Sequence, residues 1–272
     1  MPRLALFRLP AKLGRRLRRR RMATLSLATT LLLLTLLLPP LACWTIYSPP
    51  HALISLLRTH YPDVLFELPA ISPRKLIALS LDDAPSAHTP SIMAALHASN
   101  AKATFFVIGA QAPSRFDTLR SLVRAGHELA NHAMHDEASR ALPDALLAQQ
   151  LADVADVIAA VYRAEKRVLP NNYFRPGSGF FSQRMRALVG KLGFRIVLGS
   201  VYPHDAQIPF PALNARHILA KVRPGAIVIC HDRRDWTAPM LRILLPELRR
   251  RGYEIVTITD LVRAAEPMPG SS

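Results

Sequence analysis

The chain has 272 residues, half of them apolar, and a formal net charge of +16; it can bury a substantial core, and disorder is excluded as its default state. Two cysteines, Cys43 and Cys230, exclude a disulfide framework. The basic excess is concentrated, with nine Arg or Lys and no acid in residues 1–21; because this run leads directly into an uncharged segment, it reads as a membrane-flanking signal rather than a nucleic-acid-binding arm.

Residues 22–47 carry no charged side chain, and seventeen apolar or small residues precede Pro39 and Pro40. That is close to the roughly 17–25 residues that cross a hydrocarbon core as a helix. The segment is expected to be an uncleaved signal anchor. A cleaved signal peptide is the alternative, although "PPLACW" is a poor cleavage site. The arginines then stay in the cytoplasm and everything after residue 48 is extracytoplasmic, or secreted if the segment is removed. Residues 48–72, bounded by prolines around a short amphipathic pattern, read as a stem. Expected strands and helices then alternate: 76–81 with 89–100, 103–109 with 114–125, 127–131 with 143–163, 172–175 with 182–192, 194–201 with 213–222, 225–231 with 237–251, and 253–259 with a closing helix from 260. Continuous Ile, Val and Leu runs suit parallel strands buried on both faces, in either a barrel or a doubly wound sheet. Cys230 falls inside one such run and reads as a small core residue. Residues 264–272 read as a flexible tail.

Polar residues mark the ends of the expected strands. Asp82 and Asp83 follow the first, His132 the third, Arg175 the fourth, Asp205 the fifth and His231 the sixth. In parallel α/β folds chemistry gathers at the carboxyl ends of strands, so these side chains are expected on one rim. Each signal alone has a bland reading. The Asp pair could be a helix cap, the "NHAMHDEAS" cluster with His132, His135 and Asp136 a solvated loop, "RPGSG" a turn, and His231 a structural strand-end residue.

Taken together and in this order, the segments "SLDDAP", "NHAMHDE", "FRPGSG", "YPHDA" and "IVICHD" resemble the motifs of the polysaccharide deacetylase family, the NodB-homology domain of carbohydrate esterase family four, over about residues 73–263. The expected fold is α/β, a distorted (β/α)7-type barrel of mostly parallel strands preceded by an N-terminal transmembrane segment. The resemblance implies a hydrolase that removes N-acetyl groups from an N-acetylated, chitin-like or peptidoglycan-like glycan. It implies one divalent metal ion, zinc first, with cobalt or manganese as alternatives. Asp82 would be the general base, Arg175 its orienting partner, His231 the general acid and Asp205 its tuner. Asp83 and His132 would hold the metal. Ile229 would wall an acetyl pocket, with Tyr202 and Pro176 also on the substrate side. Neither a protein partner nor nucleic acid is implied.

Two departures from the family pattern stand out. The family places a second metal-binding histidine four residues after the first, whereas here Asp136 holds that position and His135 is only three away. Asp136 is the expected third ligand because spacing follows backbone geometry, with His135 the alternative. A two-carboxylate set would favour harder ions such as Mn²⁺, and the histidine set Zn²⁺. In the fourth motif, Tyr202 and Ala206 replace an Asp and a Trp, leaving Trp236 as a stand-in for that wall. The adjacent carboxylates tolerate each other if a cation binds one and a guanidinium the other. The bland alternatives are a membrane-anchored carbohydrate-binding protein with an inactive deacetylase fold, and an O-acetyl esterase.

Overall fold

The computed structural model describes residues 11–69 and 74–266, with side chains from residue 18 onward. The first ten residues of the basic segment, residues 70–72 of the expected stem, residue 73 and the tail from residue 267 lie outside the described residues. The chain forms two compact units, residues 1–53 and 54–272.

The first unit carries α1 (Ala11–Tyr47), which continues through Pro39 and Pro40. Its portion from Arg18 to Tyr47 is long and apolar enough to cross a membrane, and its leucines stand exposed. Thr30, Thr35 and Thr45 turn their hydroxyls back onto the carbonyls of Ser26, Leu31 and Leu41. Such bonding satisfies these hydroxyls within the helix itself.

The second unit is a curled sheet of seven parallel strands with helices on its outer face. Strand β1 (Lys75–Ala84) has nine of its ten residues buried and organises the rest. Its first half pairs with β7 (Tyr253–Val256), its second half with β2 (Thr104–Val107), and its other edge with β6 (Ile227–His231). Strands β3 (Glu128–Asn131), β4 (Tyr173–Phe174) and β5 (Arg195–Ile196) extend the sheet beyond β2, giving the order β5-β4-β3-β2-β1-β6. The period of two sorts side chains between faces. Ile77, Leu79 and Leu81 join the core under the helices, whereas Leu76, Ala78, Phe106 and Ile227 fill the inner face. The helices are α3 (Thr89–Ala98), α4 (Phe116–Arg124), α5 (Asp144–Ala164), α6 (Gln183–Lys191), α7 (Pro211–Lys221), α8 (Thr237–Arg250) and α9 (Ile258–Ala265). Although α5 is also long and apolar enough to cross a membrane, its Leu147, Leu151 and Val154 are wholly buried.

Four expectations change. The stem contains α2 (His51–His60), and Val64, Leu65 and Phe66 are buried, so the folded unit begins upstream of residue 73. Leu65 bridges to Val197, Glu67 to Ala226 and Val201 to Val228, lacing the sheet ends across the gap between β5 and β6. The buried Glu67 carboxylate pairs with Arg223. The expected strand 194–201 keeps regular pairing only at Arg195–Ile196, because Gly199 takes a positive φ of 93° and turns the chain toward β6. The last strand stops at Val256 because Thr257 caps α9, its Oγ1 accepting from Asp260 N at 3.1 Å. Helix α9 also takes up residues 264 and 265 of the expected tail.

Gly225 and Gly252 both have positive φ, 85° and 80°, but only at Gly225 would a Cβ strike backbone, the Leu68 carbonyl. We expect Gly225→Ala to destabilise by about 3 kcal/mol or more and Gly252→Ala by about 1 kcal/mol, as strain without collision requires. Urea unfolding of both variants checks this, and equal losses would contradict the lacing at Leu68.

Candidate active site

Adjacent residues of a regular strand point to opposite faces. At the carboxyl end of β1 the register against β2 slips: Leu81 faces Phe105, but Ala84 faces Val107, so Asp82 and Asp83 occupy a bulge. Asp83 also has φ of 62°. The bulge turns both carboxylates toward one centre: Asp82 Oδ1 meets the Arg175 guanidinium, and Asp83 Oδ1 lies 3.7 Å from Nε2 of His132, whose ring is held by the Arg175 carbonyl.

The two differ in their partners. Arg175 Nη1 donates to Asp82 Oδ1 at 2.5 Å and to Ser80 Oγ at 2.9 Å, and Arg175 Nε donates to the Val197 carbonyl at 3.0 Å. The guanidinium lies over the Phe106 ring, 4.0 Å from its centroid. Burial alone would raise the Asp82 pKa, but Arg175, with His132 and His231, holds it below the usual carboxylate value. Asp83 has no hydrogen-bond donor among the described residues. Burial raises its pKa and outweighs the attraction of His132 and His231, while Asp136 and Asp82 add repulsion. His132 Nε2 lies 3.7 Å from its Oδ1.

His132 follows β3 and is 4% exposed. Its Nδ1 lies 2.7 Å from the Arg175 carbonyl, which can only accept, so Nδ1 carries the proton and Nε2 keeps its lone pair free. Asn131 shapes the turn by accepting from Ala133 N and donating to the Leu151 carbonyl. Gln150, buried on α5, accepts from Met134 N and donates to Glu137. This anchored loop brings Asp136 to the centre: ligand atoms of Asp83, His132 and Asp136 all lie within 4.8 Å of one another. His135 is exposed and outside that group.

Across the centre, His231 ends β6. Asp205, wholly buried, accepts from His231 N at 2.7 Å through Oδ2 and faces His231 Nδ1 at 2.9 Å through Oδ1. Burial opposes the imidazolium, but the Asp205 hydrogen bond and the charges of Asp205, Asp82 and Asp83 raise the His231 pKa to about 9. Ile229 is half-buried on the same face of β6 as His231. The Tyr202 ring stands 5.7 Å from the His231 ring, its hydroxyl donating to Gln207. Pro176 is buried after Arg175, ahead of Gly177, whose N–H donates to Ser139 Oγ. Trp236 is committed to the backbone, with Nε1 donating to the Asp205 carbonyl at 2.8 Å.

Sequence reasoning missed the supporting residues Ser80, Asn131, Gln150 and Asp232. Asp232 is wholly buried at the end of β6, where it accepts from Thr89 Oγ1 at 2.5 Å and from Ser86, tying the loop after β1 to the loop after β6. Burial raises its pKa to about 6. The available signals were a polar residue on the apolar face of α5 and a second acid directly after His231.

A family model described as polysaccharide deacetylase matches residues 70–197. A chitooligosaccharide deacetylase of Bradyrhizobium sp. is 33% identical over 210 residues, covering 70% of this chain and 92% of that protein. A peptidoglycan-N-acetylglucosamine deacetylase of Bacillus cereus is 30% identical, covering 74% of this chain and 93% of that protein. Among solved structures, a family 4 carbohydrate esterase of Bacillus subtilis superposes with a TM-score of 0.68 at 26% identity, covering 81% of this chain and 94% of that one.

Because Asp205 stabilises the charged imidazole, its loss must lower the His231 pKa. We expect Asp205→Asn to move the His231 midpoint down from about 9 by more than about one unit, read by NMR titration of the imidazole. An unchanged midpoint would contradict the pairing.

Proposed function

The chain belongs to the polysaccharide deacetylase family, and from that membership we propose that it is a membrane-anchored N-deacetylase of N-acetylated glycans that works with one divalent cation. The observation that carries this reading is the unequal treatment of two neighbouring carboxylates: Asp82 has a guanidinium, while Asp83 has none and faces His132 and Asp136.

The donors fit a cation. Asp83 is a buried acid without a hydrogen-bond donor among the described residues, and His132 offers Nε2 because Nδ1 is engaged. Asp83, His132 and Asp136 would hold the ion. Zinc is what the resemblance implies, and two carboxylates with one imidazole widen the choice toward harder ions such as Mn²⁺. When bound, a divalent cation lowers the pKa of water and polarises an acetamide carbonyl.

The protein's own groups then divide the proton transfers. Asp82, kept ionised by Arg175, accepts a proton from the attacking water, whose oxygen bonds to the acetyl carbon. His231, charged below a pH of about 9, delivers a proton to the sugar nitrogen as the carbon–nitrogen bond breaks. Acetate and a free amino sugar result. Asp205 keeps His231 charged and oriented, while Ile229 and Tyr202 border the space beside it.

We assign residues 22–47 to the anchor, with the basic segment on the cytoplasmic side and the catalytic unit outside. A chain starting at residue 48 is expected to be soluble without detergent and to melt cooperatively. Aggregation of that shortened protein would count against the boundary.

Acetate release from N-acetylglucosamine oligomers, abolished by a chelator and restored by Zn²⁺ or Mn²⁺, is the expected behaviour. Release that survives chelation, or none with any cation, would overturn the reading. Asp82→Asn should lose activity by about a hundredfold or more yet retain metal in elemental analysis, whereas Asp83→Asn and Asp136→Ala should lose both and His135→Ala should keep the metal. Metal lost from His135→Ala but held by Asp136→Ala would reverse the third-ligand assignment.

A further inference from the structure

The strands of the catalytic unit begin, and its helices end, on the face opposite the rim. Two connections on that face, residues 165–172 from α5 to β4 and 192–194 from α6 to β5, lie side by side because β4 and β5 pair from Tyr173 against Arg195. Val168 in the first is 90% exposed and Leu192 in the second 41%. Their neighbours Leu169 and Phe194 instead pack inward on the core.

Scattered apolar side chains on a surface need no explanation, but these two stand among cations. Residues 163–170 and 191–194 carry exposed Arg163, Lys166, Arg167 and Lys191. The one acid in those residues, Glu165, is held by Arg120 and Arg124. A basic last turn complements a helix macrodipole, which accounts for Arg163 and Lys191. It does not call for Lys166 and Arg167 beyond the end of α5, nor for Val168 in water. A bilayer surface answers all three, because its phosphates meet the cations and the hydrocarbon beneath them receives the valine. A soluble anion would leave Val168 exposed.

With α1 in a membrane, the unit is tethered there, so even a weak attraction acts at a high effective concentration. We propose that residues 163–170 and 191–194 form a docking surface for anionic phospholipid of that membrane, with Val168 and Leu192 entering the headgroup layer and the four cations meeting lipid phosphates. The catalytic rim, at the other ends of the strands, then faces away from the bilayer and toward the glycan. The proposal rests on the anchor assigned above and adds to it the face that the unit presents to lipid.

The test places the full chain in nanodiscs of phosphatidylglycerol or of phosphatidylcholine. A spin label is carried by Val168→Cys in a Cys43→Ser background, where the remaining Cys230 is wholly buried. On phosphatidylglycerol the label should gain access to oxygen and lose access to a water-soluble nickel chelate; on phosphatidylcholine it should stay open to the chelate, and added salt should weaken the difference. A label at Phe180→Cys, 65% exposed on the rim loop after β4, should stay open to the chelate on both lipids. Lys166→Gln/Arg167→Gln/Lys191→Gln should lower the ratio of docked to free units by roughly fivefold for each cation removed, and Lys166→Arg/Arg167→Lys/Lys191→Arg should keep it. A label at position 168 equally open on both lipids, one equally shielded on both, or docking that survives the triple Gln change overturns the proposal. So does shielding of the label at position 180 instead. A label at Leu34→Cys reports the anchor separately. If that label is open to the chelate, the anchor reading fails, and the chain added to preformed phosphatidylglycerol vesicles decides the surface on its own: shielding at position 168 supports it, and exposure there overturns it.

Discussion

Two ionised carboxylates side by side at the end of a buried strand repel each other and lose their hydration, and the fold must answer both costs. The ion pair between Arg175 and Asp82 answers the first half. Both partners are almost wholly buried, at 2% and 4% exposure, so removing either would leave an uncompensated charge in a low-dielectric site. Arg175 directly follows β4, three strands away from β1 in the sheet. The curl of the sheet brings it back over Phe106, where its Nε reaches the Val197 carbonyl and its Nη1 reaches Ser80 and Asp82.

The same residue serves the other carboxylate through its backbone. The Arg175 carbonyl accepts a hydrogen bond from the Nδ1–H of His132, which leaves Nε2 directed to Asp83. One residue therefore sets the charge of the proposed base and the tautomer of a proposed ligand. Opposite, Asp205 plays the matching part for His231, and Trp236 and Arg234 hold the backbone carbonyls of Asp205 and Ala206. Asp232 joins the two halves by bonding Ser86 and Thr89. Asp82, His132 and His231 are thus each fixed by a buried residue from another loop, Arg175 for the first two and Asp205 for the third, the preorganisation that proton transfer at a defined distance needs.

Much of this was legible in the sequence because parallel strands are apolar runs with their chemistry at one end. The runs at 76–81, 103–109 and 225–231 marked β1, β2 and β6, and the order of polar residues at their ends carried the family resemblance. The spacing of Asp136 from His132 pointed toward the group the structure brings together. What stayed hidden depends on long-range geometry. The bulge at Asp82 and Asp83 is a register relation to β2, and no local pattern contains it. The lacing by Leu65 and Glu67 lies in a segment that reads as a stem because its partners, Val197 and Ala226, are more than a hundred residues away. Gln150 looks like an ordinary helix residue until the loop it holds is in place, and Trp236 resembles a sugar-facing wall until its indole is seen donating to Asp205.

The central claim is that one bulge sends neighbouring carboxylates to different tasks, and anomalous diffraction from crystals soaked in Mn²⁺ or Zn²⁺ tests it most directly. The account predicts a single peak coordinated by Asp83, His132 Nε2 and Asp136, with Asp82 still on Arg175 and outside the ligand set. A peak shared by Asp82 and Asp83, or one carried by His135 in place of Asp136, would contradict it.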